Sequence, residues 1–299
     1  MTIAKTESLT VSSVIAAKIK DYLQLIKLRL TMLVVFSAGM GYLFALSGPI
    51  NWGHMSLLLL SGFLITGSAN GINQIIEKDI DKLMTRTANR PVAAGRLAPL
   101  EAGIATAVLG VLGVAVLSVY MNSIAALLGL FSLLAYAFVY TPLKRHTSFA
   151  VLAGAFPGAM PPIIGYTALA GSIDIACLVL FAIQFVWQFP HFWSIAWILD
   201  EDYKKADICL LPGDGKKTKK NARFIFLSTI FLLPFSSLPL ILGIVNGYFG
   251  MVIILASLVF LFLAYKVYKE CSQEAAKELM LGSIVFLPLV QIILVLGHI

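Results

Sequence analysis

The chain has 299 residues, of which 59% are hydrophobic and only 12% are charged. A soluble domain is about half apolar and about a quarter charged, so this composition excludes an ordinary soluble protein and indicates an integral membrane protein. The net charge of +7 does not indicate nucleic-acid binding, because the sequence contains no basic domain with interleaved aromatic residues.

Apolar segments recur evenly along the chain, and each has close to the ~20 residues that a helix needs to cross a bilayer. We place nine of them at about 30–48, 54–76, 100–120, 123–142, 149–170, 175–198, 224–243, 247–267 and 279–297. The sequence therefore predicts an all-α membrane protein, a bundle of nine transmembrane helices. We expect a single domain over residues 1–299, with residues 1–20 as a flexible N-terminal segment.

The basic residues predict the orientation of this bundle. All 22 Lys and Arg residues fall in the N-terminal segment or in alternate connections between the expected spans. The positive-inside rule then places the N-terminus in the cytoplasm and the C-terminus outside, which requires an odd number of spans. We expect a multi-pass protein of a bacterial inner membrane, with its long charged loops and its chemistry facing the cytoplasm.

The second expected span ends in the sequence NQIIEKDIDKLMTRTANRP, residues 73–91. Positions four apart share one face of a helix, so Asn73, Glu77 and Asp81 form one oxygen-bearing stripe. Asp79 points elsewhere unless the helix unwinds there. Two carboxylates and an amide oxygen are ligands that suit Mg²⁺, which is commonly completed by substrate phosphates. This stripe is the candidate metal site.

Arginines follow the acidic stripe at positions 86, 90 and 96. Guanidinium groups match phosphate oxygens in bidentate geometry, so carboxylates followed by arginines indicate a diphosphate site. The alternative is a solvated loop whose mixed charges end the helix and set the topology. The order Asn-x-x-x-acid-x-x-x-acid followed by Arg-Thr-x-x-Arg-Pro favours the diphosphate site.

The fifth and sixth expected spans carry further candidates. Pro157, Pro161 and Pro162 indicate either tight packing or a bend that opens an internal chamber. His191 lies well inside the sixth span, where a polar ring is costly unless it is paired. It is therefore either a satisfied structural histidine or a ligand contact.

The motifs together resemble the UbiA-type intramembrane prenyltransferases, in which Asp and Asn side chains bind a prenyl diphosphate through Mg²⁺. The D-x-D-x-x-M and R-T-x-x-R-P forms are similar to the haem-farnesylating branch of that family. Three further stretches agree: YTPLKRHT (140–147), GAFPGAMPPIIGY (154–166) and WQFPHFWSIAWILDEDYKKADICLLP (187–212). The resemblance covers the chain from about residue 20 to its end.

The resemblance implies a role for each candidate residue. Asn73, Glu77 and Asp81 would hold Mg²⁺ on farnesyl diphosphate, and Asp200 and Asp202 a second metal. The other implied site residues are Asp79, Tyr140, His191 and Tyr203 as substrate contacts, and Arg86, Arg90, Lys144 and Arg145 at the departing pyrophosphate. Two alternatives stay open: Asp200 and Asp202 as a helix-ending acidic turn, and Lys144 and Arg145 as membrane-surface anchors.

The sequence departs from the family pattern at two positions. Glu77 stands where the family usually has Asp, which lengthens the ligand arm by one methylene group and keeps its chemistry. Asp207 stands where we expect a small or amide residue after Lys-Lys-Ala.

The implied reaction joins a farnesyl chain to a vinyl carbon of haem B and gives haem O. The expected partners are farnesyl diphosphate, haem B, membrane lipid and a haem A synthase or terminal oxidase. One alternative is a prenyltransferase acting on a quinone or chlorin precursor. Another is a secondary transporter, but transporters place ionisable residues near the bilayer midplane on broken helices, whereas nearly every charge here lies at the expected cytoplasmic ends of the spans.

Overall fold

The computed structural model describes residues 11–213 and 215–298 as helices joined by turns and loops. The helices are α1 (Val11–Leu25), α2 (Leu28–Phe44), α3 (Trp52–Ile76), α4 (Lys78–Asp81), α5 (Pro99–Val116), α6 (Ser123–Leu134), α7 (Thr141–Leu143), α8 (Ala150–Ala170), α9 (Ile175–Ile198), α10 (Asp200–Lys205), α11 (Lys219–Ile241), α12 (Gly247–Glu270) and α13 (Gln273–Gly297). Two π-helical segments, Leu117–Met121 and Ala135–Tyr140, continue α5 and α6. The protein is an all-α bundle.

The long helices match the expected apolar segments in place, but the expected count of nine spans is not confirmed. Among residues 11–213 and 215–298, seven helices are long and apolar enough to cross a membrane, and α1 with α2, bent by 51°, make up to eight. The helix α8 is not among them, since its three prolines and three glycines lower its mean hydropathy. The chain is a multi-pass membrane protein.

Part of the N-terminal segment is helical. Residues 1–10 lie outside the described residues, but residues 11–20 form the first part of α1. Lys18 and Tyr22 of α1 contact the Glu101 carboxylate on α5, at 2.7 and 2.8 Å. Asp21 accepts a hydrogen bond from Arg96 Nε at 2.7 Å. These long-range contacts fix α1 against the loop that follows α4.

Helices α2 and α8 approach each other closely because glycines face each other's backbone. A Cβ atom on Gly41 of α2 would lie 2.0 Å from the Pro162 carbonyl oxygen. A Cβ atom on Gly165 of α8 would lie 1.8 Å from the Ala38 carbonyl oxygen. Small residues allow such backbone contacts between membrane helices, where van der Waals packing drives association.

Gly165→Ala is therefore expected to destabilise the bundle by about 1–3 kcal/mol, because the added methyl group meets backbone that cannot move cheaply. The measurement is the thermal unfolding midpoint of the purified protein in one detergent. Gly103→Ala is the matched control, since a Cβ atom at Gly103 in α5 meets nothing within 4 Å. Equal midpoints for the two variants would contradict this account of the α2–α8 contact.

The prolines of α8 leave carbonyl groups without their usual helical donors, because a proline has no N–H to give to the residue four positions earlier. Pro162 thus frees the Gly158 carbonyl, which accepts a hydrogen bond from Gln184 Nε2 of α9 at 2.8 Å. The Pro157 carbonyl, freed by Pro161, accepts one from Ser132 Oγ at 3.2 Å. Side chains of neighbouring helices therefore donate hydrogen bonds to the freed carbonyl groups of this proline-rich helix.

An internal cavity of about 280 Å³, which we call the chamber, lies between α2, α3, α6, α8, α9 and α13. Its walls are mainly apolar side chains, with a few polar groups that include Asn70, Tyr140, Gln184 and His191. The prolines of α8 thus border this chamber, since Pro157 and Pro161 line it.

Candidate active site

The structure brings Asn73, Glu77 and Asp81 together on one face of α3 and α4. The backbone N–H of Glu77 donates to the Asn73 carbonyl at 3.0 Å, and that of Asp81 to the Glu77 carbonyl at 2.8 Å. These bonds carry the helical register across the junction between the two helices, so positions four apart stay aligned. The three side chains, which we call the acidic cluster, are 1%, 1% and 0% exposed.

Two cations contact the carboxylates of the acidic cluster. Arg90 NH1 donates to both carboxylate oxygens of Asp81 at 2.8 Å and lies 3.9 Å from Glu77 Oε2. Lys144 Nζ forms an ion pair with Glu77 Oε1. Buried charges are costly unless they are paired, so these contacts explain how two carboxylates remain inside the protein. Burial lowers the pKa of Lys144, and the Glu77 carboxylate opposes that shift.

A third cation, Lys27, reaches the acidic cluster and was missed by the sequence analysis. Lys27 Nζ donates to Asn73 Oδ1 at 3.0 Å, while Asn73 Nδ2 donates to Thr141 Oγ1 at 3.2 Å. The sequence shows Lys27 only as one basic residue before an apolar segment, which the positive-inside rule explains by itself. Its contact depends on a tertiary approach of α3 to the turn between α1 and α2.

Several predicted site residues do not enter the acidic cluster. The Asp79 side chain is 74% exposed and pairs with Lys82 at 3.2 Å. Two residues correspond to about 200° of helical rotation, so Asp79 faces away from Glu77. Arg86 and Arg145 are also exposed.

The second acidic pair lies at the helix α10. Asp200 is buried and pairs with Lys204 at 2.8 Å. Asp202 accepts hydrogen bonds from the backbone N–H groups of Thr85 and Arg86, at 2.8 and 3.1 Å. Asp202 therefore joins α10 to the loop after α4.

The contacts of Asp202 also determine its protonation. Burial alone would raise the pKa of Asp202, but the backbone N–H groups of Arg86 and Thr85 and the Lys205 ammonium lower it from 3.8 to about 2. A carboxylate whose pKa is lowered on folding stabilises the folded state above its unfolded pKa. The stabilisation by Asp202 is therefore present above about pH 4 and is lost as the pH falls toward about 2.

Asp202→Asn is expected to loosen the loop, because an amide offers one oxygen where two backbone N–H groups bind the carboxylate. We expect faster proteolysis between residues 82 and 90 and lower activity in the prenyl transfer that the sequence motifs imply. If Asp202 only anchors the loop, the Mg²⁺ concentration for half-maximal activity will stay unchanged. Glu201→Gln, an exposed neighbour on α10, is the control. A large rise in that Mg²⁺ concentration would instead favour Asp202 as a metal ligand.

The acidic cluster lies beside one end of the chamber. Asn70 lines the chamber, and Asn73 follows less than one helical turn later on α3. Tyr140 also lines it, and Lys144 Nζ lies 5.9 Å from the centre of the Tyr140 ring. A polar site at one end of an apolar cavity can hold a molecule with a charged head and a long apolar chain.

Three tyrosines lie near this junction. The Tyr136 and Tyr140 rings are 5.2 Å apart in the π-helical segment after α6, a helix type that is frequent at functional sites. Burial raises the pKa of Tyr203 on α10, and the Arg86 guanidinium opposes that shift. Tyr203 is thus a neutral, partly buried hydroxyl.

His191 lines the chamber from α9 and is oriented by α13. Its Nδ1 atom lies 2.6 Å from Ser283 Oγ, whose own hydroxyl donates to the Met280 carbonyl at 2.5 Å. When the Ser283 hydroxyl donates to Met280, its oxygen accepts from His191 in the tautomer that has the proton on Nδ1 and a lone pair on Nε2. The Trp187 ring stacks on the imidazole at 4.6 Å and 15°. Ser283 and Trp187 thus hold the imidazole in one orientation.

The oxygen atoms of the acidic cluster are suited to binding a metal ion. In the part of the chain that the structure describes, no three His, Cys, Asp or Glu side chains come together in a group that could hold a metal. The acidic cluster supplies two carboxylates and an amide oxygen, and Glu77 Oε2 is buried with no hydrogen-bond donor among the described residues, since Arg90 NH1 lies 3.9 Å away. An amide oxygen in place of a third acid still suits Mg²⁺, which prefers oxygen ligands and keeps several waters.

Comparison with known proteins identifies the family. The model of the UbiA prenyltransferase family matches residues 34–289. The chain belongs to the UbiA prenyltransferase family. It is 47% identical to a protoheme IX farnesyltransferase from Cytophaga hutchinsonii, over 95% of this chain and 99% of that protein. It is 41% identical to a protoheme IX farnesyltransferase from Flavobacterium johnsoniae, over 92% and 93% of the two chains.

Solved structures confirm the UbiA fold. A structure of digeranylgeranylglyceryl phosphate synthase matches with a TM-score of 0.78 and 21% identity, over 94% of this chain and 98% of that chain. A UbiA homolog from Archaeoglobus fulgidus, bound to GPP and Mg²⁺, matches with a TM-score of 0.72 and 15% identity, over 92% and 99%. The family model and the two relatives confirm the resemblance to the UbiA-type prenyltransferases.

Proposed function

We propose that this UbiA-family protein transfers a farnesyl group from farnesyl diphosphate to a vinyl group of haem B. The C–O bond of the allylic diphosphate breaks and a C–C bond to the vinyl carbon forms. Water adds to the other vinyl carbon and releases a proton, which gives haem O and diphosphate. The protoheme IX farnesyltransferases that the chain resembles over nearly its whole length support this assignment.

The observation that carries the proposal is the position of the acidic cluster at one end of the apolar chamber. A farnesyl chain fits the apolar walls, and its diphosphate stays at the charged end of the bundle. Arg90 and Lys144 lie on the same carboxylates that would hold a metal. The charged and apolar parts of an isoprenoid diphosphate thus each have a matching surface.

The acidic cluster fits Mg²⁺ by the chemistry of its oxygens. Asn73, Glu77 and Asp81 would hold the ion. Bound there, Mg²⁺ would neutralise the diphosphate and stabilise it as a leaving group. The Archaeoglobus fulgidus homolog with bound GPP and Mg²⁺ supports a metal in this family. A second metal at Asp200 and Asp202, and Asp79 as a further ligand, stay predictions.

The residues around the cluster would promote departure of the diphosphate. Separating a cation from an anion in a medium of low dielectric is costly unless fixed charges meet the anion. Arg90 and Lys144 are already in place at the cluster, which is electrostatic preorganisation. Arg86 and Arg145, exposed at the same end, would contact the outer phosphate. Apolar chamber walls would protect the allylic cation from water.

His191 would bind the second substrate, haem B. With its proton on Nδ1, the imidazole presents the Nε2 lone pair, the form in which histidine binds a metal ion. We propose that Nε2 binds the iron of haem B and orients the porphyrin, while Tyr140 and Tyr203 contact the substrates near the diphosphate. Ser283 orients His191 as an outer hydrogen-bond partner orients a metal ligand.

We further propose that residues 1–299 form one prenyltransferase domain in a bacterial inner membrane, with the N-terminus in the cytoplasm and the C-terminus outside. The distribution of Lys and Arg supports this orientation. The family resemblance also implies a haem A synthase or a terminal oxidase as the enzyme that receives the product.

The test is an assay of the purified protein in lipid nanodiscs with farnesyl diphosphate, Mg²⁺ and either haem B or 4-hydroxybenzoate. Mass spectrometry is expected to detect haem heavier by one farnesyl group and one hydroxyl group, and no prenylated benzoate. Prenylation of the benzoate alone would overturn the assignment and favour a quinone precursor as substrate. Protein heated before the assay is the blank.

A further inference from the structure

Lys27 occupies a backbone conformation that lysine rarely adopts. It lies at the bend between α1 and α2 with φ 50° and ψ 58°, in the left-handed region. Glycine and asparagine are the usual residues there, because a side chain crowds the backbone in that conformation. Strained residues of this kind cluster at functional sites, where the surrounding structure holds them in place.

The helix that carries the acidic cluster also holds this bend. Asn70 Nδ2 of α3 donates to the Ile26 carbonyl at 3.3 Å, and Gln74 Nε2 donates to the Leu25 carbonyl at 2.8 Å. One face of α3 thus binds both parts of the bend. Asn70 and Gln74 bind the backbone of the turn, and Asn73 binds the Lys27 side chain. The position of the Lys27 ammonium is therefore set relative to the acidic cluster.

The distance from Lys27 to Asn73 places the ammonium within reach of a metal-bound phosphate. Mg²⁺ binds oxygens at ~2.0–2.1 Å in octahedral geometry, so neighbouring ligand oxygens on one ion lie about 3 Å apart. Lys27 Nζ lies 3.0 Å from Asn73 Oδ1. A phosphate oxygen that neighbours Asn73 Oδ1 on the side of Lys27 would therefore lie within hydrogen-bond reach of the ammonium.

The local charge also favours an anion beside Lys27. Three basic side chains, those of Lys27, Arg90 and Lys144, surround the two carboxylates of Glu77 and Asp81. A metal ion in the cluster would add positive charge. A diphosphate supplies the negative charge that balances it, and ammonium groups bind phosphate as point charges.

We propose that Lys27 binds the diphosphate of the prenyl substrate, from the α1–α2 bend on the side of Asn73. The inference rests on the proposed function, because it takes the acidic cluster as the metal site. Lys27, at the bend between α1 and α2, is thereby added to the diphosphate site. The other residues of this site lie on α3 and α4 and in the segments after α4 and α7. Lys27 holds Asn73 Oδ1 and contacts the phosphate when the metal binds that oxygen.

The test is the affinity of the full-length protein in nanodiscs for farnesyl diphosphate, at saturating Mg²⁺ and without haem. Lys27→Gly removes the ammonium and relieves the backbone, and we expect the Kd to rise at least tenfold. The thermal unfolding midpoint of the variant checks that the fold is retained. Lys27→Arg is expected to stay within about threefold of the unchanged protein, because it keeps the charge. Farnesol, which lacks the diphosphate, is expected to bind equally to all three proteins.

Cys271→Gly is the matched control, since Cys271 also has a φ of 50° and lies at the end of α12, away from the acidic cluster. An unchanged Kd for farnesyl diphosphate in Lys27→Gly would overturn the proposal, and so would an equal loss of farnesol affinity. Asp81→Asn is measured in the same assay, because it shows whether the role of Lys27 or the proposed metal site is wrong. If Asp81→Asn loses affinity while Lys27→Gly does not, only the role of Lys27 is wrong.

Discussion

Asp81→Asn is expected to lower haem O formation at least ~100-fold, because it removes a carboxylate that would hold Mg²⁺ and leaves Arg90 without its charged partner. Asp81 is 0% exposed and accepts from Arg90 NH1 through both oxygens. The measurement is product formation at saturating farnesyl diphosphate over a range of Mg²⁺ concentrations. Added Mg²⁺ is expected to restore part of the activity.

The buried position of Asp81 requires a check on folding. Removing one partner of a buried ion pair costs about 3–5 kcal/mol, so the thermal midpoint of the Asp81→Asn variant must be measured in parallel. Asp81→Glu keeps the charge, and we expect it to fold normally with reduced activity. Glu278→Gln, an exposed carboxylate on α13, serves as the control. Normal turnover by a folded Asp81→Asn variant would remove Asp81 from the metal site.

Arg90→Lys is expected to lower kcat/KM for farnesyl diphosphate by about 100-fold, the cost of one donor at a site of developing charge. Arg90 NH1 contacts Asp81, and the planar guanidinium has further donors for a phosphate in a fixed fork. A lysine keeps the charge but provides one rotating ammonium group. The variant is expected to keep its fold, because the ion pair with Asp81 can still form.

The readout for Arg90 is the rate of diphosphate release under single-turnover conditions, compared with the affinity for farnesol. Farnesol affinity is expected to stay unchanged, since that ligand has no phosphate. Arg223→Lys, an exposed residue of α11, is the control for the substitution itself. If Arg90→Lys turns over as fast as Arg223→Lys, the guanidinium acts only as a counter-ion for Asp81.

The acidic cluster could be predicted from the sequence because it depends on local geometry. Asn73, Glu77 and Asp81 are four residues apart, and helical periodicity alone places them on one face. The same periodicity predicts the outward direction of Asp79. Arg90 could be placed near the cluster because only one short loop separates it from Asp81.

Other parts of the site could not be predicted, because they depend on tertiary contacts. Lys27 meets Asn73 across 46 residues, and Asp202 binds the backbone of Thr85 and Arg86 across more than 110 residues. Neither contact leaves a spacing pattern in the sequence. The orientation of His191 by Ser283 across 92 residues has the same origin.

The span count was less predictable than the fold class. Apolar composition and segment length predict a helical membrane bundle, and the structure agrees. The helix α8 combines span length with many small residues and prolines, so its mean hydropathy does not distinguish lipid contact from burial among other helices. The bend between α1 and α2 depends on side chains of α3, which no local pattern shows.

Binding of farnesyl diphosphate to the purified protein, with and without chelation of divalent ions, tests the central claim most directly. If the acidic cluster holds the diphosphate through Mg²⁺, chelation will weaken binding at least ~10-fold and added Mg²⁺ will restore it, because the carboxylates alone repel the phosphate. Equal affinity before and after chelation would contradict the claim that a metal joins Asn73, Glu77 and Asp81 to the substrate.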